Sequence, residues 1–421
     1  MIAFIIASFI VLKLATQLWL TRMNRRHVCA HAGAVPAAFK ETMDEATYAK
    51  SVEYTLARSR LSQFEDIYDT IVLLVVLFSG VLPWAFQFFQ QHVGIAAWAM
   101  AGFLFAVGTA MSVPGLPVDW FEQFRLEQRF GFNTTMLKTW WLDRLKGFLL
   151  ALVLGYPLLA LVLKFVEWTG DGWWLWAWGA LLVFQLLMLV LAPVLIMPLF
   201  NKFTPLPDGS LRERLLKLAE RTQFRAQSIQ VMDGSKRSRH SNAFFTGFGR
   251  FRKIVLFDTL VAQLAEPELE AVLAHEIGHY KKKHIPKMLM ASALSSLVGF
   301  YAISILAKQD WFYRAFAFEP GHIAPALLLF GLLAGVFTFW LSPLLHAWSR
   351  RYEYQADAFA AEVMKEARSL VGALRKLTEK NLSNLTPHPV YSAFYYSHPT
   401  LLEREQALGV GIQTSASPGT R

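Results

Sequence analysis

The sequence predicts a mainly α, polytopic membrane protein with an α+β domain, bearing a metal-ligating helix, on one side of the bilayer. Three observations predict it. Of 421 residues, 54% are hydrophobic and only 17% are charged, against about 25% charged in an average soluble domain. Seven stretches reach the ~20 mostly apolar residues that a spanning helix needs. The first long soluble stretch contains HEIGH, residues His275 to His279, inside a segment that reads as helix. The net charge of +10 fits loops rich in Lys and Arg on one side of a membrane better than a nucleic-acid partner. Cys29 is the only cysteine, so an intrachain disulfide and a thiolate metal site are both excluded.

The apolar stretches fall at 2–20, 68–90, 94–113, 147–166, 173–200, 287–307 and 322–347. Lys13 is the one charge in the first, and its stem lets the ammonium reach the nearer interface. That stretch is too long for the core of a cleavable signal and lacks a basic segment before it. Loop 21–67 has Arg22, Arg25, Arg26, Lys40, Lys50, Arg58 and Arg60, and loop 114–146 has five more Lys or Arg. Loops 91–93 and 167–172 have none, and loop 308–321 has only Lys308 and Arg314. Basic loops stay cytoplasmic, so the N-terminus is expected outside, and seven crossings leave 201–286 and everything from 348 onward in the cytoplasm. The expected organisation is spans one to five in 1–200, a soluble segment 201–286, spans six and seven in 287–347, and a second soluble segment 348–410. The polar tail 411–421 is expected to be disordered.

Within 201–286, NKFTPLPDGS is a turn-rich exit from the membrane. Residues 210–223 read as an amphipathic helix, and 227–232, 241–246 and 253–258 as short strands. The helix expected over 266–284 starts with Pro267 in its first turn. Glu266, Glu268 and Glu270 lie near its start and Lys281 to Lys283 near its end, matching its dipole. After the seventh span, 350–364 and 367–380 read as helices, while 381–399, with Pro387, Pro389 and Pro399, reads as looser chain.

On a helix, positions i and i+4 point the same way. His275 and His279 can therefore share one metal ion, with Glu276 beside them as a base for a water. Two histidines at this spacing also occur by chance on surface helices. Ala271, Val272 and Ala274 argue for a packed helix instead, and Gly278, which costs helix stability, permits a close approach by another segment. EYQAD downstream repeats the i, i+4 spacing with Glu353 and Asp357. Alone, EYQAD reads as a solvated charged helix face just after the membrane; combined with HEIGH on the same side, Glu353 is the expected third ligand that a catalytic zinc takes. Asp357 accepts a hydrogen bond from a ligand imidazole, His275, and fixes its tautomer. His284 and His346 are set aside as structural.

HEIGH followed by EYQAD, with spans between them, resembles the zinc-dependent type I CaaX prenyl protease family. PLFNKFTPLPDGSL (198–211), DGSKRSRHSNAFFTGFGRFRKIVLFDTL (233–260), EQRFGFN (127–133) and SHPTLLER (397–404) resemble further family segments. The resemblance runs from about 48 to 408. It implies seven spans in a ring around a water-filled chamber and a gluzincin-like α+β protease domain facing the cytoplasm. It implies one zinc ion per chain, held by His275, His279 and Glu353, with Glu276 as general base. It assigns the substrate-holding edge strand to Asn242 and Ala243, where backbone hydrogen bonds would hold an extended peptide. It makes His398 the donor to the developing oxyanion, and leaves Arg404 either to bind a substrate carboxylate or to brace the site.

The expected activity is hydrolysis of peptide bonds near the C-terminus of prenylated CaaX-type or similar peptides. The expected partners are a peptide or protein substrate and the bilayer, with no nucleic acid and no required oligomer. The short termini have a bacterial style, which places the chain in a bacterial inner membrane and favours a broader substrate range. One alternative is a membrane quality-control protease that accepts unprenylated chains. The other is a transporter or scaffold with a vestigial zinc site, against which Glu276 argues, since a scaffold has no use for it.

Overall fold

The computed structural model of the chain describes residues 1–40, 43–224, 228–246 and 253–410. They divide into two compact units. The first combines Met1–Trp19, Arg60–Ala192 and Lys287–Leu341. The second combines Leu20–Ser59, Pro193–Pro286 and the chain from Ser342 onward. The tail 411–421 lies outside the described residues.

The first unit is helical and belongs in a membrane. Among the described residues, four helical runs are long and apolar enough to cross one: Ile2–His31, Leu137–Phe200, His284–Leu306 and Ile323–Met364. Two bent pairs, Glu45–Phe78 with Val81–His92 and Ala97–Ser112 with Leu116–Phe130, raise the number to six if each is one span. In Leu137–Phe200 none of the most apolar window is buried inside the protein. Val183, Leu187 and Val194 are about half exposed, as suits a surface in contact with a membrane. That run holds the apolar stretches 147–166 and 173–200 and reverses between them. Phe165 and Trp176 have ring centroids 6.2 Å apart, whereas eleven residues of straight helix would separate them by about 16 Å. The reversal sits at Gly170–Gly172, where Gly170 has φ 53°, which a side chain would disfavour. Phe86, Phe103, Leu163, Ile303 and Leu329 pack the interior of this unit.

The second unit has a four-stranded sheet in the order β1-β2-β4-β3. Its strands are β1 (Phe203–Pro205), β2 (Ser228–Met232), β3 (Ala243–Thr246) and β4 (Lys253–Phe257). β2 and β4 pair in parallel; β1 and β3 pair antiparallel to their neighbours. β3 is thus an edge strand among the described residues, and its Ala243 faces Leu256 of β4. The helix Ser210–Arg221 and the HEIGH helix, Glu266–Lys281, bury Leu215, Leu218, Leu269, Leu273 and Ile277 with Ile254 and Leu256 of the sheet. Strands β2, β3 and β4 and the helix Ser210–Arg221 lie within two residues of the ranges expected from sequence.

The HEIGH helix starts where Glu268 Oε2 accepts from Ala265 N at 2.7 Å, with Pro267 in the first turn. Lys376 Nζ donates to the same oxygen at 2.8 Å, and buried Glu270 pairs with Arg214 at 2.8 Å. The expectation that this helix continues to His284 is corrected. It ends at Lys281, Lys283 takes a left-handed conformation with φ 57°, and His284 begins a new helix, His284–Leu306. The looser reading of 381–399 is also corrected. Pro389–Tyr395 is a helix, with Pro389 at its start and His388 Nδ1 accepting from Val390 N at 3.2 Å. Proline at a first helical position is pre-organised for the helix.

Candidate metal centre

Two helices of the second unit build the site: the HEIGH helix and Ser342–Met364, which carries EYQAD. They touch at Gly278. A Cβ on that glycine would lie 3.0 Å from Ala356 Cα, 3.1 Å from Ala356 O and 3.3 Å from Phe359 Cβ. The missing side chain is what lets the two helices approach, and it brings their i, i+4 pairs face to face.

His275 Nε2 and His279 Nε2 are 3.2 Å apart. Glu353 Oε1 lies 3.3 Å from His279 Nε2, and Glu353 Oε2 lies 3.5 Å from His275 Nε2. The spacing fits a metal: two atoms each ~2.0–2.1 Å from a tetrahedral ion are about 3.3 Å apart. Glu353 is 4% exposed, yet its Oε2 accepts no hydrogen bond among the described residues. A buried carboxylate oxygen in that state is costly unless a cation meets it. The donor set of two imidazoles and a carboxylate suits zinc, so these residues fit the ion.

His275 Nδ1 lies 2.8 Å from Asp357 Oδ1. Arg404 grips Asp357 with both prongs, Nε on Oδ2 at 2.8 Å and a terminal nitrogen on Oδ1 at 2.5 Å. Burial works to lower the pKa of His275, but the neighbouring carboxylates of Asp357 and Glu353 outweigh that and raise it from 6.5 to about 9. The surroundings thus favour positive charge at this ring. Glu276, half-buried beside it, has its pKa raised by burial, against the lowering pull of His275 and His279. Arg404 is itself 8% exposed. Of the two roles left open for it, the geometry supports bracing, because its guanidinium is already committed to Asp357.

Arg404 is placed by the short helix Leu401–Ala407, whose start is closed reciprocally by Thr400 and Glu403. His398 precedes it, with its side chain 65% exposed and Nε2 3.5 Å from Glu353 Oε1. What burial it has lowers its pKa, Glu353 opposes this, and the net direction is down. The segment before it is tied to the EYQAD helix by Arg350, which donates to Tyr396 O at 2.6 Å, and by His346 Nδ1 on Phe394 O at 2.6 Å. His346, set aside from sequence, does hold structure here. β3 packs against the HEIGH helix, and exposed Asn242 accepts from Ala243 N through Oδ1 at 2.8 Å. Two residues outside the sequence-derived set also reach the cluster. His279 Nδ1 is 2.9 Å from His284 Nδ1, and His284 Nε2 is 3.0 Å from Gln355 Oε1.

Gly278→Ala tests the helix contact. Alanine gains about 1 kcal/mol in helix propensity, but overpacking costs about 1–3 kcal/mol, and the atoms it meets are mostly backbone. The expected result is a melting temperature that does not rise and cleavage at least about 10-fold slower, because Glu353 and Asp357 flank the displaced residue and small misplacements are amplified in rate. A more stable, fully active variant would show that the contact has slack.

Comparison with known proteins places both halves of the chain. The family described as "CAAX prenyl protease N-terminal, five membrane helices" matches residues 24–202, and "Peptidase family M48" matches residues 205–410. The chain is similar to CAAX prenyl protease 1 of Saccharomyces cerevisiae, with 36% identity over 96% of this chain and 94% of that protein. It is similar to the Arabidopsis thaliana homolog, with 34% identity over 89% and 90% of the two chains. For the human homolog the identity is 31%, over 96% and 95%. Among solved structures, the crystal structure of S. mikatae Ste24p superposes with a TM-score of 0.89 and 34% identity, over 96% of this chain and 98% of that one.

Proposed function

The chain belongs to peptidase family M48 and is a zinc metalloprotease integral to the membrane; on that premise we propose that it hydrolyses peptide bonds near the C-terminus of prenylated CaaX-type or similar peptides. The observation that carries the chemistry is the convergence of His275, His279 and Glu353, whose ligand atoms all lie within 4.8 Å of one another. The substrate class rests on the relatives named CAAX prenyl protease.

His275, His279 and Glu353 hold the zinc, which supplies Lewis-acid activation of water and of the scissile carbonyl when bound. Glu276 takes a proton from the attacking water on its carboxylate and passes it to the leaving amine. Burial raises its pKa, which makes the carboxylate a stronger proton acceptor. Asp357 holds the Nδ1 proton of His275, which leaves the Nε2 lone pair for the metal, and Arg404 fixes the orientation of Asp357. His398 donates to the developing oxyanion. The edge of β3 at Asn242 and Ala243 takes the substrate as an added strand, so affinity depends little on side-chain identity.

The basic loops 21–67 and 114–146 support seven crossings, with the N-terminus outside and the centre facing the cytoplasm. The reversal at Gly170–Gly172 supports counting Leu137–Phe200 as two of the seven. The protease portion then comprises 201–286 and 348–410.

The test uses the full chain purified in detergent, with metal analysis and paired peptides of one sequence, farnesylated and plain. About one zinc per chain is expected, with cleavage abolished by a chelator and restored by zinc, and the farnesylated peptide preferred. A chain without zinc, or cleavage that survives chelation, would sink the proposal. Equal cleavage of the plain peptide would move it to the quality-control reading.

A further inference from the structure

The two zinc-binding imidazoles are supported in different ways. His275 is backed by a carboxylate, Asp357, at 2.8 Å. His279 is backed by another ring: its Nδ1 lies 2.9 Å from Nδ1 of His284. A hydrogen bond between two such nitrogens needs one donor and one acceptor, and the contact alone does not say which is which.

Gln355 decides. His284 Nε2 lies 3.0 Å from Gln355 Oε1, and an amide oxygen only accepts. As a neutral imidazole, His284 therefore donates from Nε2, which leaves a lone pair on its Nδ1. His279 must then donate from Nδ1, which leaves the lone pair on its Nε2. That nitrogen lies 3.2 Å from His275 Nε2 and 3.3 Å from Glu353 Oε1, where the metal ligands meet. If the amide of Gln355 turned over, every donor in the row would reverse. His279 Nε2 would then carry a proton and could not ligate.

We propose that His284 and Gln355 are positioning residues for the zinc, a neutral relay that fixes the tautomer of His279. The inference rests on the zinc reading above and goes one step further out from the metal. The surroundings are built for it. His284 is 1% exposed and stacks on Tyr352 with ring centroids 4.0 Å apart and planes 9° from parallel. The left-handed turn at Lys283 swings it back against His279. Gln355 sits on the EYQAD helix between Glu353 and Asp357.

The test compares zinc affinity by chelator competition in full-length protein in detergent, with the absorption spectrum of the cobalt-substituted form as a second readout. His284→Phe keeps an aromatic ring to stack on Tyr352 but has no acceptor. Gln355→Met keeps the length but loses the directing oxygen. Both are expected to weaken zinc by about 10–100-fold, the usual cost of losing such a support, and to alter the cobalt spectrum. Gln355→Glu offers acceptors only and is expected to hold zinc within about 3-fold of the parent chain, well inside that range. The relay is overturned if His284→Phe binds zinc as tightly as the parent, or if Gln355→Glu loses as much as Gln355→Met, which would make the position one of packing. A parent chain that binds no zinc overturns the zinc reading as well, so the two failures are distinguishable.

Discussion

Glu276→Gln is expected to slow cleavage by about 10²–10⁴-fold, the contribution of a positioned general base, while the zinc content stays that of the parent chain. The substitution conserves shape and removes only the ability to take a proton. Glu276 is absent from the ligand cluster of His275, His279 and Glu353, so the metal has no reason to leave. The amide side chain also spares the half-buried site a titrating group whose charge burial disfavours. Peptide affinity is expected to change little, because in the proposed reading the substrate is held by the backbone of β3 and not by Glu276. Single-turnover cleavage together with metal analysis checks this. A variant that cleaves at the parent rate would remove Glu276 from the chemistry, and one that loses its zinc would make it a structural support of the metal.

How much of this was legible in the sequence depended on the distance over which each feature is encoded. The pairs His275/His279 and Glu353/Asp357 are local: the period of a single helix dictates that each pair shares a face, so both were readable. The membrane stretches were readable for a similar reason, since a bilayer selects composition over ~20 consecutive residues. The strands were found within two residues, but their order, with β4 between β2 and β3, is a matter of tertiary pairing. Arg404 illustrates the same limit. Its partner Asp357 lies 47 residues away, and nothing local separates a substrate-binding arginine from a bracing one. His284 was set aside as structural, and its place beside His279 was hidden because the helix end before it has no glycine. Lys283 adopts the left-handed turn instead, so the histidine looked like the next residue of one long helix. Pro389 misled in the opposite direction, as a breaker that in fact opens a helix.

Asp357→Ala is expected to have two separate effects, and their separation tests the logic of the site. Its side chain is 2% exposed and that of its partner Arg404 is 10% exposed. Removing the carboxylate leaves a buried guanidinium without its anion, and breaking a buried pair in this way costs about 3–5 kcal/mol. It also leaves the Nδ1 proton of His275 without its acceptor, which is expected to weaken zinc by about 10–100-fold. The double variant Asp357→Ala/Arg404→Met removes the stranded charge and keeps apolar volume in its place. Stability should then return in large part, since replacing both members of a buried pair is often nearly neutral. Zinc affinity should stay low, because the tautomer of His275 is still unsupported. Denaturant unfolding of the metal-free chain reads the first effect, and chelator competition reads the second. Were the double variant to regain both, Arg404 would be the source of the whole defect and Asp357 would have no part in orienting His275. If it regained neither, the two residues would be packing elements whose charges do not matter. Recovery of stability alone is the expected outcome: Arg404 is committed to Asp357 by two hydrogen bonds, while Asp357 is the acceptor beside His275 Nδ1.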